Sequence, residues 1–316
     1  MLTEPDTPLN DAYHVGSFDF LEFTNMQKKE HQPALKIDQL ISNLKSKNLK
    51  IEDEDAAKDF LDEISYFRVI KAYSLGLKEK NGNYYEGTTF EQIVELYNFN
   101  TRFRHLLFPL IERIEITLRS RIANYFSHKY GVLGYLDSKN FSSEKYHNTF
   151  LKDIKREIKY NHRSPFIKNF QQNYKDGQIP FYALVEILTF GTLSKLFKNM
   201  LSEDKKAIAK IYNVSYPYLE SWIENIAYVR NICAHYGRLY NAKLSKTPTL
   251  YKKYKAAGVH NYYIFATLLC IKHLIVCDYR WELFIESLCA YTEMYPHVDM
   301  HTMGFPDNWV DLLIVN

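Results

Sequence analysis

The chain has 316 residues, of which 46% are hydrophobic and 16% aromatic. That is enough apolar material for a large buried core, in one big domain or two small ones. Charged residues make up 24% and the net charge is +3, which excludes global disorder.

Residues 1–34 are mixed and carry Pro5, Pro8, Gly16 and Pro33, so an irregular arm is expected. Ile37, Leu40, Ile41 and Leu44 fall at three- and four-residue spacing and predict a short amphipathic helix over 37–47. Phe60, Leu61, Ile64, Phe67, Val69 and Ile70 predict a second helix over 55–75. Gly82 and Gly87 bracket a turn or hairpin around Tyr84-Tyr85. Thr88-Thr-Phe-Glu91 fits a capping box, with helix following over 90–97. A separate long helix is expected over 103–130, its stripe formed by Leu107, Ile111, Ile114, Leu118, Ile122 and Tyr125. Pro109 either kinks it or marks its start, and Gly131 stops it.

Residues 141–180 read as a polar stretch with a basic run, Lys152, Lys155, Arg156, Lys159 and Arg163. Pro180 opens a helix through Phe190, which Gly191 breaks before helix resumes over 192–200. Residues 201–212 and 216–240 are periodic again. Pro248 marks a loop. One strongly apolar helix is expected over 261–283, a last helix ends near Tyr291, and the tail from Pro296 reads as irregular. Long helical periodicities dominate and runs of period two are few, so the fold class is all-α. The divisions are the arm 1–34, an N-terminal helical subdomain 35–98, a helical core 99–291 and a C-terminal tail 292–316.

The four cysteines, Cys233, Cys270, Cys277 and Cys289, show no C-x-x-C spacing. Free thiols in a reducing cytoplasm are expected. The N-terminus has neither a basic n-region nor an apolar stretch, unlike a signal peptide. No window reaches the ~18 uninterrupted apolar residues of a membrane span, so a cytoplasmic protein without a membrane partner is expected. No P-loop, H-E-x-x-H, paired His/Cys set or G-x-S-x-G elbow is present. No metal or other cofactor is therefore expected, and any chemistry should be acid–base work by His and Arg.

The segment Arg230-Asn-Ile-Cys-Ala-His-Tyr-Gly-Arg-Leu239 is where such chemistry concentrates. On a wheel of ~100° per residue with Arg230 at zero, Asn241, Arg238, Asn231 and His235 fall between ~20° and ~140°. Trp222, Ile226, Val229, Cys233, Tyr236 and Tyr240 fall between ~240° and ~320°. One face is apolar. The other gathers guanidiniums, amides and an imidazole, a set suited to a phosphodiester. The alternative is an ordinary solvated face, and Gly237 is placed to end the helix before Arg238 and Asn241.

No acidic residue stands between Glu224 and Asp278, whereas Lys243, Lys246, Lys252, Lys253 and Lys255 all lie there. That imbalance points to a polyanion, with nucleic acid ahead of an acidic protein or membrane surface. On the long central helix, Glu112, Glu115 and Arg119 share an arc. They form either a plain i,i+4 pair or a support in which a carboxylate orients an arginine or histidine of the 230–241 face.

Arg230-Asn-(three residues)-His235 has the form of the Arg-(four to six residues)-His motif of HEPN ribonucleases. Ser221-Trp222, Tyr228-Val-Arg-Asn-Ile-Cys-Ala-His235 and Arg238-Leu-Tyr-Asn241 together resemble the Abi-like family, the AbiD/AbiF group of bacterial abortive-infection proteins. Leu61-Asp-Glu-Ile-Ser-Tyr66, Ile111 to Arg119 with Tyr130-Gly131, and Pro180 with Glu186 to Leu193 agree in order. The resemblance spans roughly residues 35–245. The family commonly has His at Tyr236 and Trp at Tyr240, and the last 70 residues carry no matching motif.

The resemblance implies a HEPN-like helical bundle with an N-terminal helical extension, acting in phage defence. It is similar to the nuclease halves of type VI CRISPR effectors, which cut RNA. It implies an association with a structured small non-coding RNA and a homodimer, because HEPN sites usually form where two motifs meet. The expected function is a metal-independent endoribonuclease. Arg230, Asn231 and His235 would be catalytic. Arg238, Asn241 and the five lysines would bind RNA, and Glu112, Glu115 and Arg119 would support them. Two other readings stand beside it: a non-catalytic RNA-binding module regulated by a small RNA, and a bundle that only dimerises.

Overall fold

The computed structural model describes residues 33–275 and 279–314; Cys277 and nearly all of the expected arm lie outside them. The described part is helical, with three isolated β-bridges and no strand among the described residues. The all-α expectation therefore holds.

Helix α1 (Ile37–Lys45) and α2 (Glu54–Glu63) pack together. The single helix expected over 55–75 breaks at Ile64, which is extended at φ −124°, and resumes as a π-helical turn, Phe67–Lys71. No glycine or proline marks that break. The Tyr84-Tyr85 hairpin is present as an antiparallel bridge between Lys78 and Tyr84, with Gly82 at φ +92°.

The spine is α3 (Phe90–Tyr130), one continuous helix of 41 residues, about 60 Å long at 1.5 Å per residue. Two helices were expected here. Pro109 lies inside without ending it. A proline forfeits one backbone hydrogen bond, but α3 is anchored on both sides of it by Phe103, Leu107, Leu110, Ile111 and Ile114, all buried. The capping box uses Thr89 and Gln92, one residue later than the sequence suggested. A domain boundary between residues 98 and 99 falls within α3, so the N-terminal elements and the core share one helix.

Residues 141–180 are more helical than the sequence suggested. They hold α4 (Glu144–Tyr160) and α5 (Pro165–Asn173). Ser143 caps α4, and His147, Phe150, Asp153, Ile154 and Glu157 make its buried face. The short α6 (Phe181–Leu184) is followed by a 3-10 turn. The chain then breaks at Leu188 and Thr189, before α7 (Phe190–Asn199), so Gly191 sits inside a helix rather than between two. Thr189 caps α7 and wins over Gly191 as the boundary.

Helix α8 (Ser202–Ile211) leads to α9 (Tyr216–Ala234), which packs against α3, α7, α8 and the later α11. Beyond it stand α10 (Lys252–Ala256), α11 (Ile264–Leu274), α12 (Tyr279–Met294) and α13 (Trp309–Leu313). The apolar run expected as one helix over 261–283 is thus divided between α11 and α12. The expected irregular tail is built into the core: Met303, Phe305 and Leu313 are fully buried. Lys272 and Trp281 hold its end by donating to the carbonyls of Leu312 and Leu313 at 3.0 and 2.9 Å. Among the described residues, no single helix is long and apolar enough to cross a membrane.

Candidate functional site

Helix α9 ends at Ala234, not at Tyr240. Pro217 in its first turn suits a helix start. Leu219, Trp222, Ile223, Ile226, Val229 and Cys233 bury one side. His235 is the C-cap, and its N–H donates to the Asn231 carbonyl at 3.0 Å. Tyr236 follows in the left-handed region at φ +57°, an unusual conformation for a tyrosine. The Gly237 N–H then donates to the Ile232 carbonyl at 2.7 Å. A Cβ on Gly237 would sit 2.7 Å from the Ile232 Cγ2 and 3.1 Å from its carbonyl oxygen. Glycine is needed here for close approach, and the reversal leaves His235 exposed at the helix end.

Arg238 and Asn241 therefore do not extend the polar face of α9, contrary to the wheel. Arg238 is half-buried and folds back on its own loop, donating to the carbonyls of Tyr240 at 3.1 Å and Asn241 at 2.9 Å. Burial holds its pKa below the usual arginine range. Asn241, at φ +45°, aims its amide at the Leu75 carbonyl, 3.4 Å away. Tyr236 is exposed rather than part of the apolar face, and Tyr240 is buried from the loop rather than from the helix.

Three residues that the sequence reading passed over hold this loop. Asn100 on α3 is buried, accepts from the N–H groups of Leu239 and Tyr240 at 2.8 and 3.0 Å, and donates to the Gly237 carbonyl at 3.4 Å. Arg104, one turn later, donates to the Cys233 carbonyl at 3.3 Å, and its guanidinium lies 5.8 Å from the Tyr236 ring centre. Arg68 donates to the Tyr236 carbonyl at 3.1 Å. Together they answer the open carbonyls that a helix C-terminus leaves. The available signal was two polar residues, Asn100 and Arg104, interrupting an apolar stripe next to Phe99 and Phe103.

Glu115 on α3 serves two arginines. Its Oε1 pairs with Arg119 at 2.7 Å, and its Oε2 lies 3.4 Å from the Arg230 Nε. That buried Nε has no hydrogen bond of good geometry, so charge rather than a directed bond tethers Arg230. The Phe108 ring lies 5.9 Å from its guanidinium. Arg119 is buried behind Glu115 and donates to the carbonyls of Val185 and Leu188, the latter at 2.8 Å. It fixes the break before α7. Glu112 is exposed on α3.

Asn231 is exposed and lines a cleft of about 790 Å³ between α4, α7 and α9. The Cys233 thiol is buried, and burial pushes its pKa to about 12, so it is no nucleophile near neutral pH. Among the described residues, no cluster of His, Cys, Asp and Glu is placed to hold a metal ion.

The lysine run continues from the motif loop into α10, and Lys246 lines the same cleft as Asn231. Lys246 pairs with Glu224 at 2.9 Å, Lys243 lies 5.2 Å from the Tyr262 ring centre, and Lys253 lies 5.0 Å from that of Tyr254. Lys252 and Lys255 are exposed on α10. The loop between α9 and α10 is tied across α9 by Ser221 and Trp222. Ser221 Oγ accepts from the Thr249 N–H, and Trp222 donates to the Thr249 carbonyl, both at 2.7 Å. The Asn225 amide reaches the Lys246 carbonyl at 2.7 Å.

The sequence pattern of the Abi-like protein family matches residues 59–241, from α2 to the motif loop. The chain belongs to that family, and membership points to abortive infection, a form of phage defence. Searches among curated proteins and among solved structures found no match.

Proposed function

We propose that the protein is a metal-independent endoribonuclease of the HEPN type, acting in phage defence as a homodimer and associated with a structured small RNA. The observation that carries this reading is the end of α9: Arg230 is tethered by Glu115, and His235 is displayed by a sharp chain reversal. In the reaction, the 2′-oxygen of RNA attacks the adjacent phosphorus as its proton passes to a base. The 5′-oxygen leaves, taking up a proton, and the product ends in a 2′,3′-cyclic phosphate. His235 moves a proton in this exchange. Arg230 balances the charge that builds on the phosphoryl oxygens. Asn231, one turn before His235, orients the imidazole or a phosphate oxygen. Among the described residues the His235 imidazole has no hydrogen-bond partner, and in this reading a second copy supplies the partner acid or base.

The test is cleavage of single-stranded RNA in EDTA by the wild-type protein and by His235→Ala and Arg230→Ala. The expected loss is about 100- to 10,000-fold for His235→Ala, with an unchanged melting temperature because His235 is exposed. Undiminished cleavage by a clean His235→Ala preparation rejects the nuclease. Salt-dependent RNA binding without cleavage selects instead the non-catalytic RNA-binding module.

A further inference from the structure

The cleft beside the motif has walls that, apart from Asn231, the catalytic reading leaves unused. Its floor and sides come from three helices and are mostly apolar, with Phe141, Phe150 and Leu196 among them. Tyr146 and Tyr228 add aromatic faces, and Tyr146 is 64% exposed. A volume of about 790 Å³ lies within the range that binds compact organic ligands.

The charges at its rim are unequal. Its carboxylates are already matched: Asp153 by Arg156 at 3.0 Å, Glu220 by Lys205 at 2.8 Å, and Glu224 by Lys246 and Lys198 at 2.9 and 3.4 Å. Lys145 and Lys195, also on the rim, are exposed and have no carboxylate partner among the described residues. A flat, apolar ligand carrying negative charge at its edge fits this arrangement better than a neutral or cationic one.

The cleft is also continuous with the motif. Asn231 forms part of its wall, and four residues at 1.5 Å rise place Asn231 only about 6 Å along α9 from His235. A phosphodiester between Arg230 and His235 would have its neighbouring nucleotide at the cleft mouth.

We infer that the cleft between α4, α7 and α9 receives one unstacked nucleotide of a single-stranded RNA. The base enters the cleft beside Tyr146 and Tyr228, and Lys145 and Lys195 take the flanking phosphates. This rests on the RNA reading above and adds a requirement that reading lacks: the strand must be unpaired next to the cleaved bond. Stacking on a protein aromatic is tolerant of base identity, so the cleft selects for strandedness rather than for sequence.

The experiment measures affinity for a 2′-fluoro single-stranded RNA and for the same strand fully paired, with the intact wild-type chain and two variants. Tyr146→Ala removes an aromatic wall. Thr149→Trp, at an exposed position on the rim, fills the mouth. Neither position is in the core, and a melting curve checks that each variant is folded. The expected result is single-strand affinity lowered about tenfold in both variants, as removal of one stacked base predicts, with duplex affinity unchanged. A 4-thiouridine in the single strand should cross-link to the peptide carrying Tyr146 or Tyr228. Unchanged single-strand affinity in both folded variants overturns the cleft assignment while leaving the RNA reading standing. No affinity of the wild-type chain for either RNA overturns both.

Discussion

The end of α9 and the lysine run that follows it are both basic in the sequence, yet the fold treats them differently. Around the motif, Asn100 of α3 accepts from the N–H of Leu239, Arg104 of α3 donates to the Cys233 carbonyl, and Arg68 of the Phe67–Lys71 turn donates to the Tyr236 carbonyl, so the chain around His235 is held from outside α9. Along the run, Lys246 is neutralised by Glu224, and Lys243 and Lys253 lie over tyrosines of their own neighbourhood. A stretch without acids in the sequence is not a stretch without acids in space, because Glu224 on α9 faces the loop. Meanwhile Lys145 and Lys195, which no sequence cluster marks, stand without a carboxylate partner among the described residues. Positive potential has to be counted after folding.

The largest effect expected from this contrast is on the motif side. Asn100→Leu leaves the buried N–H groups of Leu239 and Tyr240 without an acceptor, at about 1–3 kcal/mol for each such group. Urea denaturation should show a loss of several kcal/mol, and any RNA cleavage should fall with it. Wild-type stability would mean that the loop is not held through Asn100.

Glu115→Gln comes next. The amide keeps a hydrogen bond to Arg119 but loses the charge that tethers Arg230. Cleavage should drop about tenfold, roughly 1.4 kcal/mol, with RNA affinity nearly unchanged. A variant as fast as wild type would free Arg230 from any dependence on α3.

The lysine side should instead show itself in acid. His273 on α11 accepts or donates a 2.8 Å hydrogen bond with Tyr254 of α10 and stacks on Trp222. Burial, assisted by Lys253 and Lys272, lowers its pKa from 6.5 to about 4. The unfolded chain binds this proton as pH falls through 6.5, whereas the folded chain refuses it until about 4. Stability from this group is therefore complete above pH 6.5 and declines between 6.5 and 4. Melting temperatures measured across that window should fall, and His273→Gln should flatten the decline. An equally steep fall in the variant would place the acid sensitivity elsewhere.

The smallest effect concerns α10. Replacing Lys252, Lys253 and Lys255 with Gln should flatten the salt dependence of RNA affinity by about 0.7 for each phosphate that these lysines neutralise. Cleavage at saturating protein should not change. A slope equal to that of wild type would assign the run to solvent.

The apolar rhythm was enough to read α1, α8, α9 and most of α3, because in each a buried stripe repeats at helical spacing. It failed where the boundary is set by tertiary packing. Ile64 and Ser65 have no breaker character, yet α2 stops there. Pro109 has that character, yet α3 runs through it. Helix α4 was hidden because Asp153 and Glu157, charged residues, share its buried face with Phe150 and Ile154. At the site, Arg230, Asn231 and His235 were legible from their spacing, and Gly237 warned where the helix ends. Asn100, Arg104 and Arg68 were not, since they come from 129 to 168 positions away in the chain. The cleft was equally invisible, as its three walls are separate in sequence.

The supports of the motif have a common origin with consequences for how such chains can diverge. Asn100, Arg104, Phe108, Glu115 and Arg119 all stand on α3, at spacings of four, four, seven and four residues. Between Asn100 and Glu115 the helix advances about 22 Å and turns about 100° for each residue. One inserted or deleted residue in that stretch would swing Glu115 away from Arg230 while Asn100 stayed on its loop. Substitutions here can be repaired one at a time, but a change of length cannot. Homologous chains should therefore tolerate changes of length between α4 and α5, and hold constant the count of residues separating these two positions on α3.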